Sequence, residues 1–281
     1  MVISQPRVDH LVLDTRDRLE EAGRVYRSLG FHLTERGRHT LGSINQLAVF
    51  ESDYLELLGF DSAAGSARAD IAQFPVGLNG LVFAMPSADS LFEDLKTRGV
   101  PVQEPLAFSR PVILPDGSHD AKFRVVLLQQ DAASFGRLYF CQHLTPDLVW
   151  RPEWCKHTNG AVGIARVSIA VSDPAVSADL FIRVFGRNIM RQASGGGWTL
   201  AAGTVDLDLV PKDTVQAQLG DAMPLPSGRS DFIAQLGIRT ASLSAASQVL
   251  RCGGIPFLQP DPGRILVPAS AALNVAIEFA E

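Results

Sequence analysis

The sequence predicts an α+β protein made of four βαβββ modules in tandem. Three observations carry this. A strand, a helix and a helix-ending glycine recur in that order along the chain. Segments rich in strand formers follow each helix. With 46% hydrophobic and 20% charged residues, the 281-residue chain can bury two cores of ordinary size. The competing explanation is an unrelated α+β sheet protein in which these echoes are chance. Turn chemistry at the end of each copy favours the repeat.

The first module opens with the apolar run Val8-Asp9-His10-Leu11-Val12-Leu13. Asp17, three residues before Glu20, predicts a capping pair at the start of a helix. Leu19, Ala22, Val25, Tyr26 and Leu29 give that helix its apolar face, and Gly30 ends it. Strands are expected at Phe31 to Thr34, Gln46 to Phe50 and Tyr54 to Leu58. The second module begins at Leu81 to Met85, with a helix carrying Leu91, Phe92 and Leu95 up to Gly99. Its later strands are read at Phe123 to Leu128 and Leu138 to Cys141.

The third module starts at Val167 to Val171, and Asp173-Pro174 is a good N-cap and first-turn pair. Val176, Leu180, Phe181 and Val184 precede Gly186, and strands follow at Trp198 to Ala201 and Val205 to Val210. The fourth copy is fainter: Leu236 to Ile238, a helix through Ala245 and Val249, then Gly253-Gly254. It closes with strands at Ile265 to Val267 and Val275 to Phe279. The stretch Pro211 to Ser230, rich in Gly, Pro, Asp and Gln, reads as a loop without a motif.

A boundary is expected between residues 158 and 159, giving halves 1–158 and 159–281. The connection from Leu144 to Gly160 mixes prolines and polar residues with Trp150 and Trp154, which should pack across the junction. A net charge of −5 without a basic cluster argues against nucleic acid or a polybasic membrane surface. Small molecules are the expected partners, and a homodimer is the expected assembly. Three scattered cysteines suit a reducing compartment. With no signal-peptide pattern in Met1 to Arg7 and no membrane-length apolar run, a cytoplasmic location is expected.

Two polar residues stand out inside apolar strands. His10 lies among Val8, Leu11, Val12 and Leu13, and Glu56 among Tyr54, Leu55, Leu57 and Leu58. A buried imidazole needs a partner, and an unpaired buried carboxylate is very costly. A divalent cation answers both needs, and imidazole with carboxylate suits Zn, Fe, Ni or Mn. The alternative pairs Glu56 with Arg38 or Arg124 and leaves His10 as a hydrogen-bonded core residue. No Ser-His-Asp arrangement, P-loop or dinucleotide fingerprint is visible.

Val8-Asp9-His10-Leu11-Val12 followed by Tyr54-Leu55-Glu56-Leu57-Leu58, within tandem βαβββ modules, resembles the vicinal oxygen chelate superfamily. Arg36-Gly37-Arg38-His39, Asn45 and Gln142-His143-Leu144-Thr145-Pro146 resemble its glyoxalase-like branch. The resemblance covers Val8 to Gly160 and is only architectural beyond. It implies that paired modules close half-barrels around one divalent metal, with ligands from the first and fourth strands of each module. His10 and Glu56 fill the first module's positions. In the second, Asn79-Gly80-Leu81 offers no ligand, so His143 is the third candidate, with Glu56 and His143 also as catalytic groups. His39 is a weaker candidate, while His32, His119 and His157 read as surface or junction residues. Asn45, Arg38, Arg110 and Arg124 are candidates for substrate contact.

In extradiol dioxygenases of this plan the metal sits in the C-terminal pair. Here the matching strands carry Arg166 and Gln235, and only Glu278 fits, so that half is expected to be a degenerate scaffold with Arg166 paired to Glu278. The resemblance therefore implies a metal-dependent lyase, isomerase or dioxygenase acting on a small oxygen-rich molecule in the N-terminal cleft. Its rival is a protein of the same fold that binds a small molecule or toxin without chemistry.

Overall fold

The computed structural model describes residues 5–61 and 68–281. The first module comprises β1 (Val8–Arg16), α1 (Leu19–Ser28), β2 (Gly37–Arg38), β3 (Ser43–Val49) and β4 (Tyr54–Phe60). After the short α2 (Ala69–Ala72), the second comprises β5 (Gly77–Ala84), α3 (Ala88–Thr97), β6 (Leu106–Leu114), β7 (Gly117–Leu127) and β8 (Arg137–His143). The third contains β9 (Ala161–Val171), α4 (Pro174–Phe185), β10 (Met190–Gln192), β11 (Trp198–Ala202) and β12 (Val205–Pro211). Then come α5 (Lys212–Leu219) and the fourth module: β13 (Phe232–Thr240), α6 (Leu243–Cys252), β14 (Leu258–Asp261), β15 (Arg264–Val267) and β16 (Ala276–Ala280).

The modules pair into two eight-stranded sheets with the same order. The first runs β2-β3-β4-β1-β5-β8-β7-β6 and the second β10-β11-β12-β9-β13-β16-β15-β14. In each sheet the two opening strands run antiparallel at the centre, and each pairs in parallel with the last strand of its own module. The expected four-module architecture is therefore present.

Alternation along the central strands separates two environments. Leu11 and Leu13 of β1 join a large core shared by both sheets and the helices, while Val12 points into the cleft face of the first sheet. Aromatic contacts knit the halves together in this shared core. Phe83 packs edge-on against Phe185 at 4.7 Å, and Phe31 stacks on Phe279 at 6.0 Å. The helix-ending glycines Gly30, Gly99, Gly186 and Gly254 all have positive φ, which only glycine adopts freely. Gly30 also sits so close to Asn159 and Val249 that a Cβ there would collide with both.

Several local expectations are corrected. Asp17 and Glu20 do not cap α1, whose N-cap is Arg18 without a side-chain bond; Arg18 instead pairs with Glu21 at 2.7 Å. Asp173 does cap α4, accepting from the Ala175 and Val176 amides. Phe31 to Thr34 is not a strand, because Phe31 is drawn into the shared core just after the left-handed Gly30. Of the β6–β7 hairpin, only the second half of β7 is predicted; β6 is missed because Pro111 interrupts it, which a sheet tolerates at an edge. Pro211 to Ser230 is not a plain loop: α5 forms there, burying Val215 and Leu219 at helical spacing. Trp150 and Trp154 pack with the cleft-face cluster of the first sheet rather than across the junction. The three cysteines are free, and no described helix is long and apolar enough to cross a membrane.

Candidate functional site

The cleft of the first sheet encloses a cavity of about 340 Å³, at the small end of the range for ligand pockets. Its floor carries His10 from β1, Tyr54 and Glu56 from β4, and Tyr139 and Cys141 from β8. His39, Ser43 and Asn45 close one side, and Phe108, Arg110 and Phe123 of the β6–β7 hairpin the other.

His10 is oriented by its sequence neighbour. The β1–β5 register shifts between Val8 and His10, a bulge that lets adjacent side chains meet. Asp9 Oδ2 lies 2.6 Å from His10 Nδ1 and 2.9 Å from His143 Nε2. Burial alone would push the Asp9 carboxyl up, but hydrogen bonds and charge from the two imidazoles outweigh it and hold it well below the usual carboxylate range. An ionised carboxylate only accepts, so His10 carries its proton on Nδ1. Nε2 then faces the cleft, 3.8 Å from Glu56 Oε2 and 3.4 Å from the Tyr139 hydroxyl. The ring is clamped by stacking on Tyr54, with centroids 4.3 Å apart.

Glu56 is fixed from its other oxygen. Asn45 Nδ2 donates to Oε1 at 2.6 Å and also faces His39 Nε2 at 3.2 Å. His39 therefore keeps its proton on Nδ1, which donates to Ser43 Oγ at 2.8 Å. Burial, helped by the nearby Arg110 and Arg68 charges, pushes His39 down to about 4, so it is neutral near pH 7. Burial raises Glu56, but the His39 and His10 rings, the Asn45 amide and Arg110 more than compensate, and its carboxyl falls below its ordinary value. Burial leaves Tyr54, Tyr139 and Cys141 as neutral donors, each pushed far up.

The structure sorts the sequence candidates. His10, Glu56 and Asn45 meet in the cleft, and His39 joins them. His143 does not line the cavity; it stands behind His10 on Asp9, wedged against Trp150 at 4.6 Å and Phe123 at 5.1 Å. Arg124 alternates with the cleft-lining Phe123 and Val125, so it points to the helix side and pairs with Asp89 of α3 at 2.5 Å. Arg38 is largely exposed, 3.8 Å from Asp61. Neither arginine pairs with Glu56, as the alternative to a cation required. Among the described residues, one group of three metal-type ligands converges within 4.8 Å: Asp9, Cys141 and His143. Its Asp9 and His143 atoms are already hydrogen-bonded to each other and its thiol is neutral, which suits a network that orients His10.

A family model described as a glyoxalase-like domain matches residues 8–185, more than half of the chain. The chain belongs to the glyoxalase-like domain family. No curated protein matches it. Among solved structures, a hypothetical protein from Staphylococcus aureus is similar at TM-score 0.66 and 13% identity, covering 98% of both chains. A triple mutant of 4-hydroxymandelate synthase from Streptomyces coelicolor is similar at TM-score 0.62 and 14% identity, covering 99% of this chain and 92% of that one. A xylose isomerase-like TIM barrel/4-hydroxyphenylpyruvate dioxygenase fusion protein gives TM-score 0.60 and 13% identity, covering 100% of this chain and 50% of that one. At such identities these likenesses bear on the fold alone, which is that of two paired vicinal-oxygen-chelate half-barrels. Sequence reasoning gave the glyoxalase-like chain no role for Asp9, Tyr54 or Tyr139. The signal for Asp9 was a second polar residue beside His10 in an otherwise apolar strand.

Proposed function

We propose that the N-terminal half, residues 1–158, is a divalent-metal-dependent enzyme of the glyoxalase-like type, acting on a small oxygen-rich molecule. The second half, 159–281, is its scaffold. The same reading keeps the protein cytoplasmic and homodimeric. The observation that carries the proposal is the Asp9–His10 pair, which turns the second imidazole nitrogen toward a buried carboxylate in a ligand-sized cleft. A carboxylate behind a histidine is the usual support for a metal-ligating ring.

His10 and Glu56 are the residues that would hold Zn, Fe, Ni or Mn, with His39 next to them. Bound there, such an ion supplies Lewis acidity toward a substrate carbonyl or enediolate oxygen. Asn45 holds Glu56 in place, and the neutral Tyr139 hydroxyl can donate to a substrate oxygen beside His10. Glu56 is the group placed to move a proton. His143 acts through Asp9, as a positioning residue.

The rival reading, a small-molecule binder without chemistry, draws on one observation. The second module contributes Gly80 and Tyr139 to the central strands, where an imidazole or carboxylate would complete a ligand set. Metal analysis of the purified chain separates the two. The proposal expects about one transition metal per chain, with affinity falling roughly 10–100-fold in Asp9→Asn and further in His10→Ala and Glu56→Ala. Circular dichroism should report an unchanged fold. Equal metal content in all four proteins would rule the site out.

A further inference from the structure

Of Arg38, Arg110 and Arg124, only Arg110 reaches the cleft, and it does so in an unusual state. It is 3% exposed, on the edge strand β6, yet among the described residues its guanidinium makes no hydrogen bond and no ion pair. Nη2 is buried without a partner. Glu56 is near enough to be felt electrostatically, but its oxygens are engaged with Asn45 and face His10 and His39. Removing a guanidinium from water without an acceptor costs several kcal/mol.

The surrounding sequence makes room for this cation. A Cβ on Gly37 would collide with Asn45 Oδ1 and press on Arg110 Cδ at 3.1 Å, so the bare backbone of β2 makes room for both side chains. The other cleft arginines have partners in the fold: Arg137 bonds Asp14 at 2.5 Å, and Arg68 bonds Ser43 at 3.2 Å. Beside Arg110, the stacked rings of Phe108 and Phe123, 5.2 Å apart, form an apolar shelf that continues to Leu106 and Leu127.

A planar fork of donors matches a carboxylate in two parallel bonds. We infer that the cleft receives a ligand with an apolar body on the Phe108–Phe123 shelf and a carboxylate bound by Arg110. The inference rests on reading the cleft as a small-molecule site, but it does not require the metal. A phosphate dianion fits less well, since one guanidinium alone lacks a partner there.

The test uses the full chain stripped of metal with a chelator. Calorimetry would compare acetate, benzoate and 3-phenylpropionate with their amides at fixed ionic strength, with inorganic phosphate alongside. At least one aromatic acid should bind about 10–100-fold more tightly than its amide, the range expected for hydrogen bonds to a charged group. Arg110→Met should abolish that preference and Arg110→Lys should keep part of it. Because the variant removes an unpartnered buried cation, Arg110→Met should melt at or above the wild-type temperature. The inference is overturned if no acid outbinds its amide, if phosphate binds better than every acid, or if Arg110→Met keeps the preference. It also fails if Arg110→Met melts several degrees lower, since the fold itself would then satisfy the guanidinium. Failure of the metal proposal leaves this result untouched, because the titrations contain no metal.

Discussion

The two sheets share one strand order, yet their cleft faces are finished differently. In the second sheet, α5 and the turn after it lie over the face. Val215, Leu219 and Ala222 pack with Phe232, Ala234, Leu266 and Ala276. The polar residues beside them pair among themselves. Arg166 reaches Asp208 at 3.3 Å and Asp206 at 4.0 Å, while Glu278 takes Arg264 and Gln235, each at 3.3 Å. The expected Arg166–Glu278 pair is absent, since each found a nearer partner on its own side of the sheet. The first sheet keeps an open cavity, with Arg110 Nη2 and Asn45 Oδ1 buried and unpartnered. Buried polar groups are normally hydrogen-bonded, so the orphaned atoms mark the first cleft as the one that asks for an explanation.

The comparison breaks first at α5. Leu219→Ala should cost about 2–4 kcal/mol in chemical denaturation, as truncation of a buried leucine does, without changing metal or carboxylate binding in the other sheet. A new ligand site in the second cleft, with little loss of stability, would mean that α5 is a lid and not a filling.

A smaller effect comes from the contact between the halves. Asp53, in the turn before β4, accepts from the Ile164 amide of β9 at 2.9 Å, and burial pushes its carboxyl up to about 6. With a folded value above the unfolded one, the folded state holds the proton more tightly. The stability this contributes is complete below about pH 4 and is lost as pH rises through about 6. The span corresponds to roughly 2–3 kcal/mol at most. Asp53→Asn keeps the acceptor and loses the titration, so its unfolding free energy should lack this fall between pH 4 and 7. An identical pH slope in both proteins would show that Asp53 does not couple the halves in this way.

The smallest effect is expected from Arg166→Met. That side chain is half exposed, and its ion pairs should be worth less than about 1 kcal/mol. Metal content and carboxylate preference should not move; a change in either would put function back into the second sheet.

Much of this arrangement was legible from residue patterns. Helix-ending glycines and apolar periodicity are local signals, so they announced four modules whatever the modules later touched. His10 and Glu56 were legible for a related reason, as costly groups in apolar strands. Arg110 was harder to single out, because arginine is common on surfaces and Pro111 disguised its strand. The β6 edge, and with it one wall of the cleft, had to be seen.

The sequence by itself determined the module order and which polar residues would be hard to bury, because both follow from short-range periodicity and desolvation. Which partners those residues met was decided only by tertiary structure. Asp9 bonds His143 across 134 positions of chain, and Arg110 lies over Gly37 because β6 closes beside β2. That α5 covers one cleft while a cavity opens in the other is likewise a matter of packing. A side chain carries its charge and its desolvation cost in its chemistry, but its partner is set by strand register between segments far apart in sequence.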